Sequence, residues 1–302
     1  MAAMIERDDI DWKAYMEESE PQQKVRRAST FHKQLVASFE EQSVTGETLP
    51  WAKVGDRVRF RAGEVSVWAG INGHGKSLML GQVVLGFMSQ DARCAIASFE
   101  MKPVTTLNRM SRQASMGALP TEQFLHEFST WGDGRLWLYD QQGQCDVKRM
   151  AAVLRYCAAE LNIRHVVIDS MMKIIRGEDD YNGQKDAMSL FTSIARDTGL
   201  HIHLVHHIRK SDDENRLPGK FDMKGSGSIS DQADNVFVVW RNKRKQFDEQ
   251  EGKPVDPDMA DAFLVCEKQR NGEFEGKIAL WFHAASQQYV AGSDHRPMQF
   301  IR

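Results

Sequence analysis

The chain has no CxxC pair; its four cysteines, Cys94, Cys145, Cys157 and Cys266, are scattered. That spacing excludes a sequence-evident zinc ribbon and fits reduced thiols in a cytosol-like compartment. Cys94 and Cys266 sit in apolar runs and read as small buried hydrophobes. No apolar run approaches the length of a bilayer span, and the opening MAAMIERDDIDW is too charged for a secretion signal. Together these absences predict a cytoplasmic protein without a membrane partner. Neither sign of charge is in excess, since 39 Lys and Arg face 42 Asp and Glu, a net of −3. The balance argues against a chain that is basic all over, yet leaves room for basic residues confined to one channel. There is no internal repeat and no low-complexity tract. What remains is an ordinary soluble composition, 41% hydrophobic and 27% charged over 302 residues, enough to bury a core without disulfides.

The front of the chain differs from the rest. Residues 5–28 are dense in charge and broken by Pro21, and Phe31, Leu35, Val36 and Phe39 then fall on one helical face. Such a face packs either on the chain's own core or on a neighbouring subunit. The expected division is a tail with a docking helix over 1–48 and a single domain over 49–302. From residue 55, short β-branched runs recur at 64–70, 94–100, 135–140, 165–169, 201–207, 235–241 and 262–268. Helical stretches lie between several of them, at 77–89, 148–161 and 184–198. Strand–helix alternation predicts an α/β fold with a mostly parallel twisted sheet flanked by helices. KIALWFH at 277–283 followed by QQYV predicts a C-terminal antiparallel hairpin. Between His207 and Asp234 runs a long polar segment, of a length usually functional or disordered.

Residues 70–77, GINGHGKS, satisfy GxxxxGK[ST] after an expected strand and before an expected helix, the context that makes the motif credible. Gly70, Gly73 and Gly75 let the backbone curl so that amides converge on phosphate oxygens, with Asn72, His74 and Leu78 in the same turn. The helix adds its positive end. Lys76 is placed to reach the β- and γ-phosphates of ATP, and the Ser77 hydroxyl to ligate Mg²⁺. Asp169 ends the run HVVID, where a carboxylate either holds the metal shell or caps a helix. Glu100 ends CAIASFE at the same edge, as a base for water or a surface glutamate.

With these residues placed, the chain from about Leu49 to Val290 resembles the RecA-like motor domain of DnaB-type replicative helicases, including the helicase half of phage primase-helicases. The resemblance rests on SFEM at 98–101, VVIDS at 166–170, LVHHIRK at 204–210, KGSGSISDQADNV at 224–236 and EKQRNGEFEGKIALWF at 267–282. It implies a RecA-like P-loop core, Glu100 as the catalytic glutamate, Asp169 as the metal carboxylate and His207 as the γ-phosphate sensor. His206 then points to the other side by strand alternation. It also implies that Lys268 and Arg270 reach the ATP of an adjacent subunit, as an arginine finger does in trans; by pattern alone, KQRNG also fits a basic strand and an Asn-Gly turn.

In a ring of such subunits, homo-hexameric or similar, Arg209, Lys210, Lys220 and Lys224 would meet the phosphates of single-stranded DNA, and Gly225, Ser226 and Gly227 would let the backbone close in. Asp212, Asp213, Glu214 and Asp222 in the same segment equally fit a solvated loop. The resemblance further implies a helicase acting in replication, in a bacterial or phage-infected cytoplasm, with primase, polymerase or single-strand-binding protein as possible associates. Against the family pattern, the front of this chain is short for a helical collar and carries no cysteine-ligated primase module. The competing expectation is a RecA-fold filament or accessory protein that binds ATP without unwinding.

Overall fold

A computed structural model describes residues 3–5, 27–40, 45–175, 177, 180–208, 216–223 and 227–301. The described strands are β1 (Ala3–Ile5), β2 (Glu47–Thr48), β3 (Arg59–Phe60), β4 (Val65–Gly70), β5 (Cys94–Ser98), β6 (Leu136–Tyr139), β7 (His165–Asp169), β8 (His201–His207), β9 (Asn235–Arg241), β10 (Ala262–Gln269), β11 (Gly276–His283) and β12 (Gln288–Val290). The α-helices are α1 (His32–Glu40), α2 (Lys76–Met88), α3 (Pro103–Ala114), α4 (Glu122–Gly132), α5 (Val147–Ala159), α6 (Tyr181–Thr198), α7 (Ser228–Gln232) and α8 (Lys243–Gln250). Ten strands form one sheet in the order β1-β6-β5-β7-β8-β4-β9-β10-β11-β12, and β2 pairs with β3. Neighbours from β1 to β9 run parallel, and β9 to β12 antiparallel. Helices cover both faces, which is why the central strands read as unbroken apolar runs.

Alternation along each strand divides the core. Val65, Val67 and Ala69 join Phe191 of α6 and Leu154 of α5 on one face, whereas Trp68 joins Val83 and Phe87 of α2 on the other. Side-chain caps open four of the described helices: Thr121 accepts from Phe124 N, Asp146 from Arg149 N, Asp180 from Gly183 N and Asn242 from Lys245 N. Gly199 closes α6 in the left-handed conformation that suits it.

The expected strands and terminal hairpin are present, with one displacement of consequence. The run at 94–100 stops being strand at Ser98, and Phe99 and Glu100 lie in the turn beyond. Two helices, α3 and α4, occupy a stretch in which no element was expected. Helix α1 forms as its spacing predicts, but Phe31, Leu35, Val36 and Phe39 are exposed, so the described part of this face is not sunk into the chain's own core.

At the N-terminal ends of β4, β7 and β8 lies a buried polar cluster. Trp68 Nε1–H donates to His203 Nδ1 at 3.1 Å. An indole nitrogen can only donate, so a neutral His203 carries its proton on Nε2 and gives it to His165 Nδ1, 3.1 Å away. His165 must then donate from Nε2 to Glu47 Oε2 at 2.8 Å, and Arg164 closes the chain on the other carboxylate oxygen. Beside it, His201 Nδ1 donates to the Arg61 carbonyl at 2.6 Å, and its Nε2 accepts from Ser66 Oγ at 2.7 Å. Burial holds all three imidazoles below the usual histidine range. Burial opposes ionisation of Glu47, but the hydrogen bond and charge from His165, with Arg164, outweigh it and keep the carboxyl low.

Candidate functional site

At the opposite end of the same strands, Gly70 ends β4 and the chain turns into α2. Gly73 and Gly75 take φ of +80° and +84°, where a side chain would be strained. A Cβ on Gly75 would collide with Tyr289 Oη, and one on Gly70 would lie 2.6 Å from the Val239 carbonyl. The cradle therefore demands glycine at both positions, at the first of these for its backbone angle as well. Lys76 Nζ donates to the carbonyls of Gly70 at 2.9 Å and Ile71 at 3.1 Å, which leaves one ammonium proton. Burial pushes its pKa down to about 8 against the opposing charges of Asp169 and Glu100.

Ser77 Oγ donates to Asp169 Oδ2 at 2.5 Å. Burial, with the nearby Glu100 charge, raises the Asp169 carboxyl; the Ser77 hydrogen bond and the cations Lys76 and Arg109 pull it back. Two hard oxygens side by side at the foot of the loop suit Mg²⁺, which takes one or two protein oxygens and completes its shell with phosphates and water. Among the described residues no cluster of three His, Cys, Asp or Glu forms a protein-only metal cage.

The cleft above has a volume of about 580 Å³ and is lined by Asn72, Gly73, Gly75, Lys76, Ser77, Leu78, Glu100, Asp169, His207, Arg109 and Gln287. The Phe99 amide donates to the Asp169 carbonyl at 2.9 Å, fixing the turn that carries Glu100. Lys173 Nζ stands 3.7 Å from Glu100 Oε1, an exposed pair of small energetic weight. His207 lies in register with Gly70, while His206 is fully buried. Strand alternation thus brings His207, and not His206, to the cleft.

Two sequence-derived members of the loop stand apart. Gly70 lies beneath the cleft with its carbonyl taken by Lys76. The His74 side chain turns away and accepts the Arg241 amide at 3.0 Å. Burial, with the charges of Lys243, Lys76 and Arg241, pushes its pKa down to about 4. This imidazole ties the loop to β9, and only the backbone of His74 faces the phosphate cradle.

Arg109 and Gln287 escaped the sequence reading. Arg109 projects from α3 and its Nη1 lies 2.9 Å from Met101 Sδ, a weak acceptor for a guanidinium. Gln287 sits at φ +58° in the turn before β12, with its carbonyl held by Gln113 Nε2 at 3.0 Å.

Lys268 and Arg270 do not line this cleft. Lys268 is on β10 and Arg270 just beyond it, and both fold onto α7 of their own chain. Of the polar segment, Arg209, Lys210, Lys224, Gly225 and Ser226 lie outside the described residues. Lys220 is tied to Glu267, its amide to Oε2 at 3.3 Å and its Nζ to the carbonyl at 3.4 Å. Arg216 pairs with Asp222 at 2.5 Å, Gly227 leads into α7, and the Phe221 ring is exposed. No described helix is long and apolar enough to cross a membrane.

A family model described as the DnaB-like helicase C-terminal domain matches residues 58–291. A DNA helicase/primase of Enterobacteria phage T3 is 23% identical over an alignment of 205 positions that covers 61% of this chain and 36% of that protein. The chain thus spans little more than a third of that curated relative. Among solved structures, one described as an ATPase domain superposes with a TM-score of 0.72 at 16% identity, over 86% of this chain and 98% of that one. A DnaB-like replicative helicase, studied with its interactions with primase, superposes with a TM-score of 0.68 at 14% identity, over 88% and 67%. At such identities the likeness establishes the fold, a RecA-like α/β core.

Proposed function

The chain belongs to the family of DnaB-like helicase C-terminal domains, and on that premise we propose that it is a ring-forming motor that couples ATP hydrolysis to movement along single-stranded DNA and to strand separation in replication. One observation carries this reading. Lys76, Ser77, Asp169, Glu100 and His207 meet at a single sheet edge, while the two cations of the KQR motif stand away from that cleft. The cleft's own guanidinium, Arg109, leans on Met101, and a finger supplied in trans by the KQR motif of a neighbour would complete the site.

In this reading Lys76 and the loop amides hold the β- and γ-phosphates, and Ser77 with Asp169 holds Mg²⁺, which when bound would neutralise charge on the transferring group. Glu100 takes a proton from the attacking water, with the Lys173 ammonium beside its carboxylate. His207 donates to the γ-phosphate oxygen as charge grows there. Arg270 completes the site of the adjacent protomer, while Lys268, expected from the resemblance to reach that site too, spends its three protons on carbonyls of its own chain and fastens β10 to α7. Residues 1–48 supply the arm, with the exposed face of α1 docking on the next subunit of a homo-hexamer or similar ring. The segment 208–227 faces the DNA; primase, polymerase or single-strand-binding protein are candidate associates in a cytoplasmic setting.

A second reading, an ATP-dependent accessory or filament protein, is favoured by the bonds that Arg216 makes to Asp222 and Lys220 Nζ to the Glu267 carbonyl, which leave fewer free cations for DNA. Both are tested by ATP hydrolysis with and without single-stranded DNA, particle size on the same samples, and a forked duplex. Stimulated hydrolysis by ring-sized particles that part the fork supports the motor. Stimulated hydrolysis without strand separation, or open filaments, transfers the chain to the second reading.

A further inference from the structure

Lys268 and Arg270 are held firmly by their own chain. Lys268 Nζ gives its three protons to the carbonyls of Ser230, Asp231 and Ala233 at 2.9, 3.0 and 2.8 Å. These carbonyls close α7, the short helix that ends the polar segment 208–227. Arg270 Nη1 lies 2.9 Å from Asp234 Oδ1, its Nη2 donates to the Asp231 carbonyl at 3.2 Å, and its amide to the Asp234 carbonyl at 2.8 Å. Asp234 is buried, and its second oxygen accepts the Val65 amide at 2.9 Å, which pins it to the strand that carries the phosphate loop. The Arg270 side chain keeps 40% of its surface exposed. Two of its five guanidinium donors are engaged, so three remain for a ligand outside the chain.

We propose that Asp234 is a positioning residue for the trans-acting arginine: it locks one edge of the guanidinium so that the free edge is aimed out of the protomer, and α7 sets that aim. The inference rests on the reading that Arg270 serves a neighbour's site. A planar fork held at Nη1 by a buried carboxylate and at Nη2 by a carbonyl has already lost most of its rotamer freedom, so little ordering is left for the moment of reaction. Because Lys268 and Arg270 both bond α7 carbonyls, a displacement of the segment before α7 moves both cations together. The segment proposed to meet DNA and the group proposed to reach the next nucleotide then share one short helix.

Mixed rings test this directly. Chains carrying Lys76→Ala donate a finger but cannot turn over, and chains carrying Arg270→Ala turn over only with a donated finger. Their mixture therefore reports hydrolysis at hybrid interfaces. Asp234→Asn keeps an oxygen for the Val65 amide and removes the charge that holds Arg270. Placed in the donor chain, it is expected to lower kcat of the mixture at least about tenfold with KM unchanged; in the acceptor chain it should alter kcat less than about twofold. Equal loss in both placements, or loss in neither, overturns the proposal, because a merely structural role has no such asymmetry. Should Asp234→Asn fail to assemble, Asp234→Glu keeps the charge but displaces the carboxylate by one methylene from Arg270 Nη1, and the donor–acceptor asymmetry is read again. If the parent mixture shows no rescue although mixed rings are verified by co-purification through an affinity tag on one variant only, the trans reading itself fails and this inference falls with it.

Discussion

The parallel strands carry a buried polar cluster at each end, and the two clusters are built on opposite rules. At the N-terminal ends, Trp68, His203, His165, Glu47 and Arg164 form a directed chain in which each donor meets an acceptor. At the C-terminal ends, the buried Lys76 and Asp169 and the exposed Glu100 border a cleft of about 580 Å³, with Lys76 bonded to the Gly70 carbonyl and Asp169 to Ser77. The same β7 supplies His165 to the first and Asp169 to the second. Burial of charge alone does not mark a working site; a closed network stabilises, and an open one facing a cavity is available for chemistry.

The largest effect expected from this contrast is at the open end. Glu100→Gln should retain nucleotide binding and melting temperature while turnover falls about 10²–10⁴-fold, the usual weight of a general base; single-turnover hydrolysis beside a thermal melt decides it, and retained turnover would remove Glu100 from the base role. At the closed end, His165→Phe should keep the stacking on Phe87, whose ring centroid is 4.3 Å away, but leave Glu47 short of a donor. A stability loss of about 2–3 kcal/mol in urea unfolding is expected, with kcat within about twofold for the folded fraction. Should kcat collapse while stability holds, the closed cluster would be functional after all.

Acid sharpens the contrast further. The folded pKa values of His165, His201 and His203 are depressed, so their contribution is complete above the unfolded value near about 6.5. Below it the unfolded chain binds protons that the folded one refuses. Stability should fall by about 1.4 kcal/mol per pH unit for each histidine as pH drops from about 6.5, read from denaturant midpoints across pH. The smallest effect has the opposite sign. Asp169 is raised by burial, so its ionised form opposes folding at neutral pH. Asp169→Asn should melt at the same or a higher temperature without ligand, a gain of at most about 1 kcal/mol, yet lose the upward shift that Mg-ATP gives the parent protein. A lower melting temperature without ligand would show that the open end is also a structural keystone.

Much of the architecture was legible because buried parallel strands cannot hide: runs such as HVVID and NVFVVWR are apolar on both faces. Helices α3 and α4 were harder to see. In α3 the apolar positions Leu107, Met110 and Ala114 are interleaved with Thr, Asn and Ser, and Val104 is exposed, which blurs the helical period. Glu100 was readable as a residue but not its place in a turn beyond β5, since the backbone leaves the sheet there to meet the Asp169 carbonyl. His207 followed from the family resemblance, and alternation then sent His206 to the other side. The inward turn of His74 did not, because its partner is a backbone amide of β9 and amides have no sequence signature. The same reason hid the hold of α7 on Lys268, and Arg109 reaches the cleft only through the packing of α3 against α2.

The contact of Gly75 with Tyr289 has a consequence in time. The phosphate loop is moulded against a hydroxyl 214 residues later in the chain (289 − 75). That tyrosine is seated by Gln82, whose side chain bonds both its amide and its carbonyl, and by the Trp51 indole. At about 5–20 residues per second, a ribosome has presented the whole GINGHGKS motif roughly 10–40 s before the strand that shapes it emerges. A nascent chain that already displays the motif thus lacks the hydroxyl that bounds the loop at Gly75 until β12 has been made.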